Sequence, residues 1–226
     1  MSFVPRFTTG QAFNQPLGKI VCVGRNYAEH ARELDNPVPS APLLFIKPAS
    51  SAVDIDEPLE AQFARGEVHF EAELALLIGT PLTRATPQAA QRAVVGLGLA
   101  LDLTLRDVQA RLKDKGHPWE IAKAFDGACP LTPFAPLEGE PDWQALHFTL
   151  DIDDERRQTG DSADMLFAIP ELLAEMSRHF TLMPGDVVLT GTPAGVGALP
   201  RGAEISLALA AGASHGAVEA ITRTAD

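Results

Sequence analysis

The stretch EVHFEAELALLI, residues 67–78, opens with alternating polar and apolar residues and closes with a continuous apolar run. This alternation predicts a half-buried β-strand, and the apolar run predicts its buried continuation. On such a strand Glu71 and Glu73 point to the same face, about 7 Å apart along the chain. Two like charges that lead into a buried strand require a compensating cation, and carboxylate oxygens favour Mg²⁺, Mn²⁺ or Ca²⁺ over zinc. An exposed strand face, on which glutamate is common, is the alternative.

A third acid lies inside another apolar segment. Asp102 is the only charged residue of LALDLTL, residues 99–105. An aspartate there is costly unless it is paired, hydrogen-bonded or bound to a metal. Asp102 is therefore the natural third ligand beside Glu71 and Glu73. We expect the cation to be Mg²⁺ or Mn²⁺, with Ca²⁺ as a substitute that crystallisation could introduce.

Short β-type segments dominate the rest of the chain. They lie at 20–24, 43–47, 93–105, 147–153, 186–190, 204–210 and 216–223, and helical patterns are confined to 26–34, 86–92, 105–114 and part of 164–180. Strands that are not separated by regular helices favour a β-rich α+β fold with mixed sheets over a doubly wound sheet. Apolar patterning continues on both sides of the Pro-rich stretch 130–141. We therefore interpret that stretch as a surface loop within one domain, residues 1–226.

Composition limits the classes of partner. The 226 residues carry a formal net charge of −12, so the chain lacks the surplus of basic residues that nucleic acid or an anionic membrane surface requires. The longest apolar segment, 93–101, is far shorter than the roughly 20 residues that cross a bilayer, and the N-terminus shows no secretory pattern. We expect a soluble cytoplasmic protein. Cys22 and Cys129 are expected to be buried thiols, with a disulfide as the alternative.

A histidine and a glutamate are spaced for contact on a predicted helix. Asn26 followed by Glu29 fits a capping box, which predicts that a helix begins there. On that helix His30 and Glu33 are neighbours at i and i+3, so the carboxylate can orient the imidazole and raise its basicity. This arrangement suits a general base. An ordinary surface pair on a short helix is the alternative.

Several other polar residues lie beside apolar segments. Lys47 closes the strand LLFIK and Lys123 lies in WEIAKAFD; each could bind an anionic substrate or only extend from the apolar surface to water. Arg106 and Gln109 share one face of the helix after Asp102, although Arg106 could simply pair with a nearby acid. The glycines of TGTPAGVG, residues 190–197, allow close backbone approach to a ligand, but also suit a plain turn.

Six segments, in this order, resemble the fumarylacetoacetate hydrolase family, in particular its short single-domain members that act on acylpyruvates or oxaloacetate. They are CVGRNYAEHARE, PLLFIKPASS, HFEAELALLIG, DLTLRDVQ, PWEIAKAFD and VVLTGTPAGVG, and the resemblance covers residues 17–223. It implies mixed β-sheets rolled around a central site, usually in a homodimer. The family's metal ligands fall on the three acids named above, and its catalytic dyad falls on His30 and Glu33, on a short lid helix. The residues implied to hold the substrate or stabilise its developing charge are Arg25, Arg106, Gln109, Lys123 and Thr192.

The implied reaction is hydrolysis of a carbon–carbon bond in a small anionic β-diketo acid. An acylpyruvate such as acetylpyruvate or fumarylpyruvate would give pyruvate and a carboxylic acid, after His30 deprotonates the attacking water. The same metal chemistry supports decarboxylation or keto–enol tautomerisation of oxaloacetate, and these remain alternatives. A non-catalytic binding protein would have lost the dyad or a metal carboxylate, whereas this chain retains all five residues.

Overall fold

The computed structural model describes residues 3–35, 37–210 and 217–225. Its strands are β1 (Lys19–Gly24), β2 (Leu43–Pro48), β3 (Ala52–Asp54), β4 (Val68–Phe70), β5 (Ala72–Ile78), β6 (Val94–Leu101), β7 (Thr104–Leu105), β8 (Cys129–Leu131), β9 (Ala135–Pro136), β10 (His147–Ile152), β11 (Glu155–Asp161), β12 (Val187–Leu189), β13 (Gly197–Ala198), β14 (Glu204–Ala210) and β15 (Ala217–Arg223). Its α-helices are α1 (Ala28–Glu33), α2 (Pro87–Gln91), α3 (Arg106–Asp114), α4 (Glu120–Lys123) and α5 (Ile169–His179). Every predicted β segment contains at least one strand, and Gly216, where the last predicted segment begins, lies outside the described residues.

Three sheets organise the strands. Eight strands form a mixed sheet in the order β2-β1-β12-β5-β6-β8-β3, with β9 paired to β6. Within it β1–β12 and β3–β8 are parallel pairs, and the other pairs are antiparallel. Strands β10, β11, β14 and β15 form a four-stranded antiparallel sheet, while β4, β7 and β13 form a three-stranded one. The prediction of a β-rich α+β fold with mixed sheets is confirmed.

The main core lies between the eight-stranded and four-stranded sheets. Leu74 and Leu97 of the large sheet share one buried cluster with Phe148, Leu150 and Leu207 of the smaller sheet. Burial alternates along β10 and β14, as expected for strands that have one face on the core. Strand β5, in contrast, is buried along its whole length, which explains its continuous apolar run.

Each of two predicted long strands is broken at an acid. Segment 67–78 forms β4 and β5 with Glu71 between them, and segment 93–105 forms β6 and β7 with Asp102 at the break. The two breaks face each other, because the Asp102 amide donates to the Glu71 carbonyl at 2.8 Å. Strands β5 and β6 pair in the large sheet, and β4 and β7 pair in the three-stranded sheet. Both acids therefore lie where the chain passes from one sheet to the other.

The predicted capping box at Asn26 is wrong. Helix α1 begins at Ala28, and Tyr27 occupies its N-cap without a side-chain cap hydrogen bond. The Asn26 amide group instead donates to the carbonyls of Thr190 at 2.8 Å and Phe167 at 3.1 Å, and its oxygen accepts from the Phe167 amide. Asn26 is fully buried, and it joins the start of α1 to two distant segments rather than satisfying the helix terminus.

The interpretation of the Pro-rich stretch 130–141 as a surface loop is also wrong. Strands β8 and β9 within it pair with β6, and Phe134 is fully buried. Thr132 completes the pairing, since its backbone amide donates to the Leu99 carbonyl and its hydroxyl accepts from the Leu99 amide at 2.9 Å. Proline thus occurs here in short pairings that need few amide donors.

Two further expectations concern cysteines and membranes. Cys22 and Cys129 are buried free thiols, as expected. Among the described residues, no helix is both long enough and apolar enough to cross a membrane.

Candidate metal centre and active site

Three buried acids meet at the junction of the sheets. One carboxylate oxygen from each of Glu71, Glu73 and Asp102 lies within 4.8 Å of the other two. All three residues are at most 5% exposed. Glu71 and Asp102 occupy the two strand breaks, and Glu73 follows on β5. An all-oxygen set of this kind suits a hard divalent cation.

The hydrogen bonding of these carboxylates tests whether a cation fits. Lys123 Nζ lies 2.7 Å from Glu71 Oε2 and 2.6 Å from Asp102 Oδ2. Glu73, however, has no ion-pair partner among the described residues, and its Oε2 accepts from the Gly191 amide at 2.6 Å. Asp102 Oδ1 is buried without a hydrogen bond, although Lys47 Nζ lies 2.7 Å away. The site therefore offers buried carboxylate oxygens with unused lone pairs, which fit a divalent cation.

The pKa values follow this uneven pairing. Burial raises the pKa of Glu73 well above its ordinary value, and the charges of Asp102 and Glu71 raise it further. Burial also opposes ionisation of Glu71, but Lys123, Arg106 and His30 outweigh it and lower the pKa of Glu71. Negative charge is thus least compensated at Glu73, where an added cation would stabilise it most.

His30 and Glu33 lie on α1 at the side of this centre. His30 is 5% exposed, and its Nδ1 is 3.5 Å from Glu33 Oε2. Burial lowers the pKa of His30 below its ordinary value, although the charges of Glu71 and Glu33 act in the opposite direction. The imidazole is therefore neutral at pH 7 and able to accept a proton. The Glu33 carboxylate also accepts from the Gly195 amide at 3.1 and 3.2 Å, which ties α1 to the glycine-rich loop.

A cavity opens in front of the three acids. Of the residues predicted to act on the substrate, the structure brings six to its wall: Arg25, His30, Arg106, Gln109, Lys123 and Thr192. Arg106 contacts both Glu71, at 2.5 Å, and Gln109 Oε1, at 2.8 Å.

Lys47 does not line this cavity, contrary to the expectation that it contacts substrate. Its side chain is fully buried behind Asp102, and its ammonium donates to the carbonyls of Lys123 and, at 3.1 Å, Ala128. Lys47 lies opposite Ile20 on β2, the edge strand of the large sheet, and it is the one buried residue of that strand, with its ammonium directed towards Asp102. In this position it supports Asp102 rather than a ligand.

Gln158 is a supporting residue that the sequence did not reveal. It is 1% exposed on β11, and the charged residues of this strand prevented its recognition from the sequence. Its side chain donates to Thr192 Oγ1 at 2.8 Å and accepts from the Ala72 amide, between Glu71 and Glu73, at 2.9 Å. It therefore links the glycine-rich loop to the metal-site strand. A glutamine at an inward position of an alternating strand is the signal that could have indicated it.

Lys113 was also missed, together with an aromatic wall formed by Phe45 and Trp119. All three line the cavity. Lys113 lies on the same face of α3 as Arg106 and Gln109, at i+7 and i+4 from them, and this spacing is visible in the sequence.

Comparisons with known proteins identify the family of this chain. The profile of the fumarylacetoacetate (FAA) hydrolase C-terminal family matches residues 19–219. An oxaloacetate tautomerase of Escherichia coli is 49% identical over 201 residues, covering 88% of this chain and 91% of that protein. A mitochondrial oxaloacetate tautomerase of Homo sapiens is 43% identical, covering 82% and 84%.

A solved structure extends the comparison to the fold. The fumarylpyruvate hydrolase of Pseudomonas aeruginosa, crystallised with Mn²⁺ and pyruvate, superposes with a TM-score of 0.88. It is 35% identical, and the match covers 99% of this chain and 96% of that one. On its sequence and its fold alike, the chain belongs to the fumarylacetoacetate hydrolase family.

Proposed function

We propose that this protein is a divalent-metal-dependent oxaloacetate keto–enol tautomerase. The observation that carries the proposal is a buried histidine and three convergent carboxylates on one cavity, in a chain 49% identical to an oxaloacetate tautomerase. Hydrolysis of acylpyruvates, which the sequence alone placed first, becomes the second candidate. It is favoured by the likeness to a fumarylpyruvate hydrolase.

Glu71, Glu73 and Asp102 would hold Mg²⁺ or Mn²⁺, the cations that an oxygen-only site favours. Such an ion, when bound, supplies Lewis acidity that polarises a carbonyl oxygen and stabilises enolate charge. Lys123 and Arg106 already neutralise Glu71 from two sides. They therefore keep Glu71 ionised and limit the negative charge that an anionic substrate meets.

His30 would transfer the proton. In the keto-to-enol direction its neutral imidazole takes a proton from C3 of oxaloacetate, and a proton returns to the oxygen on C2; the reverse direction delivers the proton to C3. Glu33, 3.5 Å from Nδ1, stabilises the imidazolium that forms between these steps. Burial favours the neutral imidazole, so His30 can return the proton instead of retaining it.

The test uses metal-stripped protein and oxaloacetate dissolved as its enol. Decay of the enol absorbance is followed with and without Mg²⁺ or Mn²⁺, and pyruvate is measured in the same samples. Metal-dependent decay without pyruvate is the expected result. Glu71→Gln serves as the metal-site control, because it removes one ligand charge and conserves side-chain size.

Two other outcomes separate the alternatives. Release of pyruvate from oxaloacetate would identify a decarboxylase, and release of pyruvate from acetylpyruvate without enol turnover would favour the hydrolase. No reaction with either compound in the metal-loaded protein would overturn the proposal. That the chain forms a homodimer and works in the cytoplasm stays a prediction.

A further inference from the structure

The cations at the metal centre and in the wall of its cavity fall into two groups. Lys47, Lys123 and Arg106 each contact a carboxylate of the metal centre at 2.7 Å or less. Arg25 and Lys113 line the same cavity, and neither side chain has an ion pair or hydrogen bond with any residue that the structure describes. Their charges are therefore available to a ligand, whereas the charges of the first group are already balanced. Of these two cations, Lys113 is the one that α3 carries on the same face as Arg106.

Helix α3 sets the position of Lys113 relative to the metal centre. Arg106 at the start of α3 contacts Glu71, and Lys113 follows two turns later on the same face. Seven residues span roughly 10 Å along a helix axis, and helical side chains lean towards the N-terminus, here towards Arg106. Lys113 Nζ lies 5.3 Å from the centre of the Trp119 ring, which holds the ammonium against the aromatic wall.

The surroundings of Lys113 favour an anion. The side chain is half-buried, and the charges of Arg25, Arg106 and Lys123 all act against its protonation, with Glu71 alone opposing them. Burial and these cations lower the pKa of Lys113 to about 8. A lysine whose only role was to reach solvent would gain nothing from this position. A bound carboxylate, in contrast, would offset both the cost of burying the ammonium and its repulsion by the neighbouring cations.

We propose that Lys113 is a specificity-determining residue that binds the distal carboxylate of a dicarboxylic 2-oxo acid. This inference rests on the proposed function, because the metal centre is taken to hold the 2-oxo acid end of the substrate. The remainder of a four-carbon diacid then extends along the α3 face towards Lys113. A substrate that ends in a methyl group would leave this cation without a partner.

The test compares two unreactive ligands of equal length, 2-oxoglutarate and 2-oxopentanoate, which differ by a distal carboxylate in place of a methyl group. Calorimetry with Mn²⁺-loaded protein gives both affinities. Lys113→Met should weaken the binding of 2-oxoglutarate by about 10-fold or more, the contribution of a hydrogen bond to a charged group. The affinity for 2-oxopentanoate should stay unchanged or increase slightly. Lys113→Arg should retain most of the preference. Lys115→Met, at an exposed position two residues further on, is the matched control.

The outcomes distinguish this inference from the proposed function. Equal affinity of the natural protein for the two ligands, or equal losses for both in Lys113→Met, would overturn the role of Lys113. A preserved carboxylate preference without enol turnover would instead overturn the tautomerase and leave the subsite in place. In kinetics, Lys113→Met should raise KM for oxaloacetate with kcat largely retained.

Discussion

The backbone amide of Asp102 donates a hydrogen bond to the carbonyl of Glu71 at 2.8 Å. Two candidate metal ligands from different strands are thus joined through their main chains, at the point where both strands leave the large sheet. Because this pairing involves no side-chain atom, the backbone places both carboxylates without help from a metal. Loss of one carboxylate should therefore affect ion binding before it affects the fold.

Glu71→Gln tests this consequence. Removal of one ligand charge should weaken Mn²⁺ binding by about 100-fold or more, since loss of an outer-shell partner alone typically costs 10–100-fold. Calorimetry measures the affinity, and circular dichroism of the metal-free protein should stay unchanged. Glu67→Gln is the control, because Glu67 is exposed and contacts His69 instead of the metal centre. Full affinity in Glu71→Gln would exclude Glu71 as a ligand.

Lys47→Met should act on stability. Loss of the buried ammonium leaves Asp102 without that neighbouring cation, and breaking a buried pair typically costs about 3–5 kcal/mol. We expect this loss in the free energy of unfolding of the metal-free protein, measured in urea, with partial recovery in Mn²⁺. Lys115→Met, which changes an exposed lysine, should have almost no effect. Unchanged stability together with a raised KM would instead make Lys47 a substrate contact.

Much of the site was accessible from sequence because an acid in an apolar strand is costly. That cost pointed to Glu71, Glu73 and Asp102 before any contact was known, and the structure brings them within 4.8 Å of one another. The strand breaks at two of these acids could not be predicted from the sequence, since the alternation of polar and apolar residues runs through them without interruption. Only the pairing of distant strands reveals a break.

The residues that were missed depend on tertiary context. Gln158 lies on a strand whose charged neighbours resemble a loop, and only pairing with β10 fixes its inward direction. Asn26 satisfies the local rule for a helix cap, but it finds better partners in Thr190 and Phe167. Local patterns cannot rank such long-range hydrogen bonds against local ones.

His30→Ala should lose catalysis and keep the metal. Removal of a positioned general base typically costs about 10²–10⁴ in rate, whereas the three carboxylates are untouched. Enol decay with Mg²⁺ gives the rate, and calorimetry gives the Mn²⁺ affinity. His147→Ala, at an exposed position on β10, is the control. Unchanged turnover in His30→Ala would remove the dyad from the mechanism.

Gly195→Ala should disturb the dyad through the glycine-rich loop, whose Gly195 amide donates to the Glu33 carboxylate. Gly195 has a φ of +97°, and a Cβ there would lie 2.1 Å from the Arg157 carbonyl oxygen. The loop must move, and its amide then leaves the Glu33 carboxylate. We expect kcat to fall by about 10- to 100-fold, as misplacement near 1 Å can cause, with Mn²⁺ affinity retained. Gly139→Ala, at a φ of +104° with open space, should change activity little. Equal effects in both variants would assign the loss to backbone strain alone.

The preference for a distal carboxylate should depend on pH through Lys113. Its pKa is lowered to about 8, by burial first and then by Arg25, Arg106 and Lys123. A lysine is cationic below its pKa, so the preference for 2-oxoglutarate over 2-oxopentanoate should be greatest below pH 8. Above pH 8 each binding event must first protonate the amine, and the affinity for 2-oxoglutarate should fall by up to tenfold per pH unit.

The ratio of the two affinities isolates this effect, because both ligands meet the same metal centre and both are fully ionised between pH 6.5 and 9.5. Titration of the metal centre or of His30 therefore cancels in the ratio. Calorimetry with Mg²⁺ should give a ratio that declines above about pH 8 in the natural protein and is low and flat in Lys113→Met. A ratio that stays high to pH 9.5 would show that the distal carboxylate is held by another cation of the cavity wall, such as Arg25.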